Sequence, residues 1–291
     1  MEPIIKILKS IDRRFIFLIT AIAVVLPLFK PIGFPIEPEK SVRSIYNKIN
    51  AIPAGSTILM SFDYDPASKP ECHPMAISNL RHAFKKGLKV VIVALWPFGL
   101  SMAAEAIQQV SYEFKNEFGR TLVNGVDYVI MGYRVGGAIL IQQAGEDFKK
   151  TFEESVDGRR SEEIPILKNI NRLSDFKLIL SYSAGDPGIK QWIAIADAQY
   201  KVPVAGGVTA VTAPEIAPFL KSGQLLGLMS GLRGAADYEE LVRRNYKNFE
   251  KYPNTATAGM ESQNIVHIMI IIFIIIANIV YLYDKKKGLI K

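Results

Sequence analysis

Nineteen consecutive residues, Ile265 to Tyr283 (IVHIMIIIFIIIANIVYLY), contain no Asp, Glu, Lys or Arg. As an α-helix at roughly 1.5 Å per residue this stretch is about 28 Å long, close to the hydrocarbon thickness of a bilayer. The sequence therefore predicts a membrane-spanning helix, with the lipid bilayer as a partner, and everything else must fold around that tether. Asp284 and then Lys285, Lys286 and Lys287 follow at once. A basic cluster beside a span marks its cytoplasmic side, so the carboxyl end is expected to point inward.

The other end is built alike. Lys6, Lys9, Arg13 and Arg14 precede an apolar run from Phe15 to Phe29. Small residues stop at Ala23 and no A-x-A-like cleavage site follows, so the run reads as an uncleaved anchor, extended by Lys30 snorkelling and by Ile32 to Ile36. With both basic flanks on one side, both termini are expected in the cytoplasm and the main domain on the extracytoplasmic side. Residues 1–36 form the basic start and anchor, 37–252 the domain, 253–264 a loose stalk, 265–283 the span and 284–291 a basic tail. Pro31, Pro35 and Pro38 stiffen the first tether.

This arrangement accounts for the net charge of +7, most of which lies in the first fourteen and last eight residues. Little net charge is left for the body of the chain, which gives no electrostatic footprint for DNA or RNA, and a nucleic-acid partner is not expected. The single cysteine, Cys72, rules out an internal disulfide, so a hydrophobic core must hold the domain.

Within the domain, short apolar runs alternate with helical patterns. Strands are expected at 57–62, 88–95, 127–131, 177–181 and 202–205. Helices are expected at 41–51, 75–86, 101–118, 137–145, 166–173, 189–200, 214–220 and 235–249. Strands apolar on both faces and separated by single helices specify a mainly parallel sheet covered on both sides. The fold expected is thus a three-layer, Rossmann-like α/β domain of about five strands, flanked by an N-terminal and a C-terminal transmembrane helix. The charged stretch 148–164 reads as an exposed loop or lid dividing two halves of a possible pseudo-repeat. The run from Gly223 to Gly234 reads as a close-packing surface for the sheet, another subunit or the membrane face, with simple core as the alternative.

Ligands of such sheets bind beyond the carboxyl ends of the strands, so the loops there are the candidates. Asp63 and Asp65, followed by Glu71, Cys72 and His73, offer an acid/base pair, but their spacing matches no metal signature. An Asx turn at Asp65 into Pro66 is the structural alternative. Ser183 and Asp186 lie in a small-residue loop that opens a helix and suits a polar organic ligand, since Asp186 would oppose a phosphate. The two loops resemble each other: Ser61-Phe62 and Ser181-Tyr182 each lead to an Asp-Pro.

Gly206, Gly207 and Thr209 after the fifth strand, and Arg134 with Gly136 and Gly137 after the third, offer exposed backbone N–H groups of the oxyanion-hole type. Trp96 and Tyr133 would line an apolar pocket. A hydrolase would draw on Asp63, Asp65, His73 and Ser183, but no G-x-S-x-G elbow is present. No G-x-G-x-x-G or Walker-type loop follows a strand, so no nucleotide cofactor is expected. In the last span, His267 and Asn278 are polar groups in lipid; pairing between copies or with another membrane protein would satisfy Asn278, and His267 near the outer end either joins that surface or reaches water. These features favour a non-enzymatic envelope module that self-associates or binds a partner or a small polar ligand.

Overall fold

A computed structural model of the chain describes residues 12–29 and 35–288, together with Ile5, Lys9, Ser10, Ile32 and Gly33. Lys6, Lys30, Pro31 and Lys291, assigned above to the basic flank, the first tether and the tail, lie outside the described residues. In chain order, α1 (Arg13–Phe29) is followed by α2 (Lys40–Ala51), β1 (Thr57–Asp63), α3 (Lys69–Lys85), β2 (Lys89–Val93), α4 (Gly99–Phe118), β3 (Tyr128–Ile130), α5 (Ala138–Glu146) and the single turn α6 (Phe148–Thr151). The second half runs through β4 (Ile179–Ser183), α7 (Ile189–Trp192), β5 (Val204–Val208), α8 (Ala213–Lys221), β6 (Leu228–Ser230), α9 (Gly231–Asn245) and α10 (Thr255–Lys286).

The chain divides into two units, Ile36–Thr257 and a second made of Met1–Pro35 with Ala258–Lys291. In the first, six strands pair in the order β3-β2-β1-β4-β5-β6, and every pair is parallel. Strands such as KVVIV and ILSYS are buried on both faces, which only a sheet with helices on each side allows. Helices α2, α3, α4 and α9 cover one face, and α5 to α8 cover the other. The strand order reverses between β1 and β4, which makes the gap beyond their carboxyl ends the topological switch point of a doubly wound sheet.

Residues of alternate parity in β1 and β4 face opposite layers. Leu59 and Ile179 join the core with Phe148, Phe152, Trp192 and Val204 on the α5–α8 side. Phe62 and Tyr182 pack edge-on on the α3 side, where the Tyr182 hydroxyl donates to Asn79 Oδ1 at 2.8 Å.

Several expectations are corrected. The sheet has six strands, because the apolar part of the Gly-rich run Gly223 to Gly234 supplies β6, a strand of three residues on the edge. The stretch 166–173 forms no α-helix; it folds as 3-10 turns at Pro165–Leu167 and Leu173–Asp175. The charged stretch 148–164 is no lid. Phe148, Phe152 and Ile164 are buried, and the Phe148 ring lies 5.0 Å from Phe152 and 5.1 Å from Phe176. These large side chains anchor the segment to the core while its charged residues face out.

In the second unit, α1 and α10 run antiparallel. Ser262 Oγ donates to Val24 O at 2.9 Å, and Lys9 pairs with Asp284. Of the two spans expected, the described residues contain one helix long and apolar enough to cross a membrane, α10. Helix α1 has 17 described residues with Pro27 inside it, about 25 Å at the helical rise, at the short end of what crosses a bilayer. His267 and Asn278 are both exposed on α10. Their separation of eleven residues turns the helix by about three full turns, so they lie on one stripe. Asn278 Nδ2 donates to Ile274 O at 2.8 Å within the same helix.

Candidate functional site

The switch point is built from two strand ends in register: Ser61 pairs with Ser181, and Asp63 with Ser183. Because Ser61, Asp63, Ser181 and Ser183 share the parity of Leu59 and Ile179, they point into the α5–α8 layer and form a polar island in an apolar core. All four are fully buried. Asp63 Oδ1 accepts the Leu95 N–H and the Ser61 hydroxyl at 2.8 Å each, and Oδ2 lies 2.8 Å from Ser61 Oγ and 3.1 Å from Ser181 Oγ.

Burial raises the Asp63 carboxyl from 3.8 to about 7, against the pull of the Leu95, Ser61 and Ser181 hydrogen bonds. Trp192 adds a weaker pull in the same direction, although its Nε1 finds no hydrogen-bond partner among the described residues.

The island is closed from outside. Trp96 Nε1 donates to Pro187 O at 2.7 Å, which ties the β2 loop to the β4 loop across the crevice, and the indole lies against Gly185. The Ser183 hydroxyl accepts the Ile189 N–H at 3.2 Å at the start of α7, and Ala184 N–H donates to Asp63 O at 3.1 Å. Asp186 is exposed, precedes a cis peptide to Pro187 and accepts from Gln191 Nε2.

Beside this seal lies an open cavity of about 450 Å³ between the β3 and β4 loops. Leu95, Tyr133, Val135, Ala138 and Pro187 give it an apolar lining, with Asp186 and Gln191 as its polar groups. Gly136 and Gly137 form part of the wall with φ of +145° and +48°, conformations that L side chains rarely adopt. A smaller cavity of about 230 Å³ on the other side of the β4 loop is lined by Thr212, Ile216 and the Lys190–Glu215 ion pair.

The structure thus gathers Asp63, Ser183, Trp96, Tyr133 and Asp186 around the switch point and sets the others apart. Asp65 Oδ1 accepts the Ser68 N–H at 3.1 Å, the Asx-turn role. Arg134 is exposed and lines neither cavity. Thr209 is buried, with its hydroxyl 2.9 Å from that of Thr212 at the start of α8.

Gly206 and Gly207 lie inside β5 rather than in a loop, so they form no oxyanion nest. A Cβ on Gly206 would stand 1.9 Å from Ser181 O, and one on Gly207 2.1 Å from Met75 Sδ, so glycine here allows close packing. His73 turns to the α3 side, with Nδ1 2.8 Å from the Tyr64 hydroxyl and Nε2 4.0 Å from Glu105 Oε1. Burial lowers its pKa to about 4. It does not converge with Asp63 or Ser183.

Leu95, Ala138, Gln191 and Trp192 carried no site signal in the sequence, whereas Ser61, Ser181 and Pro187 belong to the two Asp-Pro loops already singled out. The signal for the serines was present, because Ser61 and Asp63, like Ser181 and Ser183, alternate with aromatic residues in strands otherwise apolar.

Fold and site together define a doubly wound parallel α/β domain with a sealed carboxyl at its switch point and an open cavity alongside. No protein-family model and no curated protein matches the sequence. Among solved structures, the chain is similar to the Candida albicans trehalose-6-phosphate phosphatase N-terminal domain, with 7% identity and a TM-score of 0.32 over 89% of this chain and 48% of that one. The chain therefore matches about half the length of that structure, and a likeness at this level carries no argument about activity.

Proposed function

We propose that this chain is a membrane-tethered α/β module that binds a small ligand without transforming it. The observation that supports this reading is the open cavity of about 450 Å³ beside the switch point. It suits a molecule with an apolar body for Leu95, Val135 and Pro187 and a cationic or hydrogen-bond-donating group for Asp186. The test is the melting temperature of the full-length protein in mild detergent against a panel of small apolar amines and quaternary ammonium compounds. A rise that disappears in Ala138→Trp, which fills the cavity, supports the reading. No rise with any compound refutes it.

We place α10 across the bilayer, with α1 as a shorter companion, both termini cytoplasmic and the α/β domain extracytoplasmic. The antiparallel pairing of α1 with α10 supports termini on one side. Protease added to intact membranes should cut near Gly158 only from outside. We place self-association, or contact with another membrane protein of an envelope assembly, on the stripe of α10 that carries His267 and Asn278. A strictly monomeric protein in mild detergent that captures no membrane partner refutes that part.

A hydrolase is the second reading, favoured by one observation: a carboxyl at the switch point that titrates near neutrality. It requires solvent to reach Asp63 or Ser183, which have no exposed surface. Turnover of carboxylic or phosphate esters that is abolished in Asp63→Asn would establish it over the first.

A further inference from the structure

The end of the α/β domain opposite the cavity is organised around His82. Its Nδ1 lies 2.7 Å from the Tyr238 hydroxyl and its Nε2 3.2 Å from Asn50 Oδ1, while its ring stacks on Tyr46 at 4.2 Å and lies 5.8 Å from that of Tyr246. These contacts bring the last turns of α2, α3 and α9 side by side. The same turns and the adjoining loops carry Lys48, Lys85, Lys86, Lys89 and Lys247, all exposed or half-exposed. Cations at helix C-termini complement the helix dipole, which accounts for part of this clustering.

It does not account for the absence of counter-charge. Among the described residues none of these five lysines forms an ion pair, although Lys85 Nζ lies over the Phe118 ring at 3.8 Å. The neighbouring acids are already engaged. Glu240 holds Arg243 and Arg244, Glu117 holds Lys251 and the Tyr252 hydroxyl, and Glu113 holds Arg81. The cavity end is the reverse: Asp65, Glu71, Glu105, Asp186 and Glu215 are there, and Lys69 and Lys190 are consumed by Glu105 and Glu215.

The chain leaves the domain past the basic side, where Tyr252 binds Glu117 near the end of α4. On entry it runs along α9: Ile36 O accepts from Arg244 near the end of that helix at 2.7 Å, and Glu37 O accepts from Arg233 in its first turn at 3.2 Å. From Thr257, whose N–H donates to Glu239 at 2.8 Å, α10 runs about 12 Å before its apolar stretch begins at Ile265.

We propose that Lys48, Lys85, Lys86, Lys89 and Lys247 form a docking surface for the anionic headgroups of the membrane that α10 crosses. The proposal rests on the reading of α10 as a span. The attraction acts over a Debye length of about 8 Å at physiological salt, and a cation near an anionic surface changes surface partitioning by about fivefold.

The test is hydrogen exchange of the full-length protein in lipid nanodiscs of phosphatidylcholine alone and of phosphatidylcholine with phosphatidylglycerol. Backbone amides of 84–90 and 246–251 should exchange at least about fivefold more slowly in the anionic discs. High salt should remove the difference in the unaltered protein. The combined variant Lys48→Glu, Lys85→Glu, Lys86→Glu and Lys247→Glu should remove it at low salt, with exchange of β1 and β4 unchanged as the check on folding. Equal exchange in the two discs, with the protein incorporated, overturns the docking surface alone. Failure to incorporate into either disc overturns the span, and the docking surface with it.

Discussion

Replacing Asp63 with Asn tests whether the switch point is a sealed carboxyl. In the folded chain burial raises this group to about 7 from its ordinary 3.8. Between those values the folded state keeps a proton that the unfolded state has released. Stability from Asp63 is therefore full below about pH 4, falls as pH rises through the window and is flat above about 7. The window is about three pH units wide, and at about 1.4 kcal/mol per unit the wild type loses about 4 kcal/mol across it.

His73 and His82 work in the opposite sense. Burial lowers them to about 4 and about 3, so stability from them rises with pH up to 6.5. They are common to both proteins, and the difference between variant and wild type isolates Asp63. Asn keeps the shape and cannot ionise; Oδ1 still accepts the Leu95 N–H, and the Ser hydroxyls rotate to meet Nδ2. Its stability relative to wild type should rise by about 4 kcal/mol from about pH 4 to about pH 8. The assay is urea unfolding of the full-length protein in mild detergent, followed by tryptophan fluorescence, because the only two tryptophans, Trp96 and Trp192, flank this site. A difference that stays constant with pH within about 1 kcal/mol would refute the reasoning.

Two further outcomes follow from the packing. Gly206→Ala drives a methyl to 1.9 Å from a backbone carbonyl in the central sheet and should cost more than about 3 kcal/mol, whereas Gly207→Ala meets the movable Met75 sulfur at 2.1 Å and should cost about 1–2 kcal/mol. Urea midpoints in the reverse order would contradict the assignment of β5. Cys72 is fully buried and its thiol is pushed well up by burial, so a maleimide should label it no faster than the protein unfolds. Fast labelling of the native protein would show an open path to the α3 side of the switch point.

Local patterning was enough to determine the alternation of strands and helices and the parallel sheet. LKVVIVAL has to be buried on both faces, and Ser101 to Phe118 carries one apolar stripe ending at Gly119, so each states its own environment. The apolar stretch from Ile265 to Tyr283 likewise makes α10 a candidate span by length and composition alone. Strand ends were less legible. β4 and β5 each run two or three residues beyond the expected limits, because pairing with neighbours extends a strand past its apolar run. That extension moves Ser183, Gly206 and Gly207 out of the loops. Lone apolar residues among charges at 148–164 also gave no warning that Phe148 and Phe152 reach the core.

Only the tertiary structure decided which loops share a crevice. The resemblance of the Asp63 and Ser183 loops was visible in sequence, but their adjacency depends on β4 pairing with β1, a contact between residues about 120 positions apart. Strand parity then separated the acid from the histidine. Asp63 faces the α5–α8 layer while His73 joins Tyr64 on the α3 side, so a constellation plausible along the chain is divided by the sheet itself. The cavity beside it arises where the β3 and β4 loops approach, and spacing along one strand carries no information about that approach.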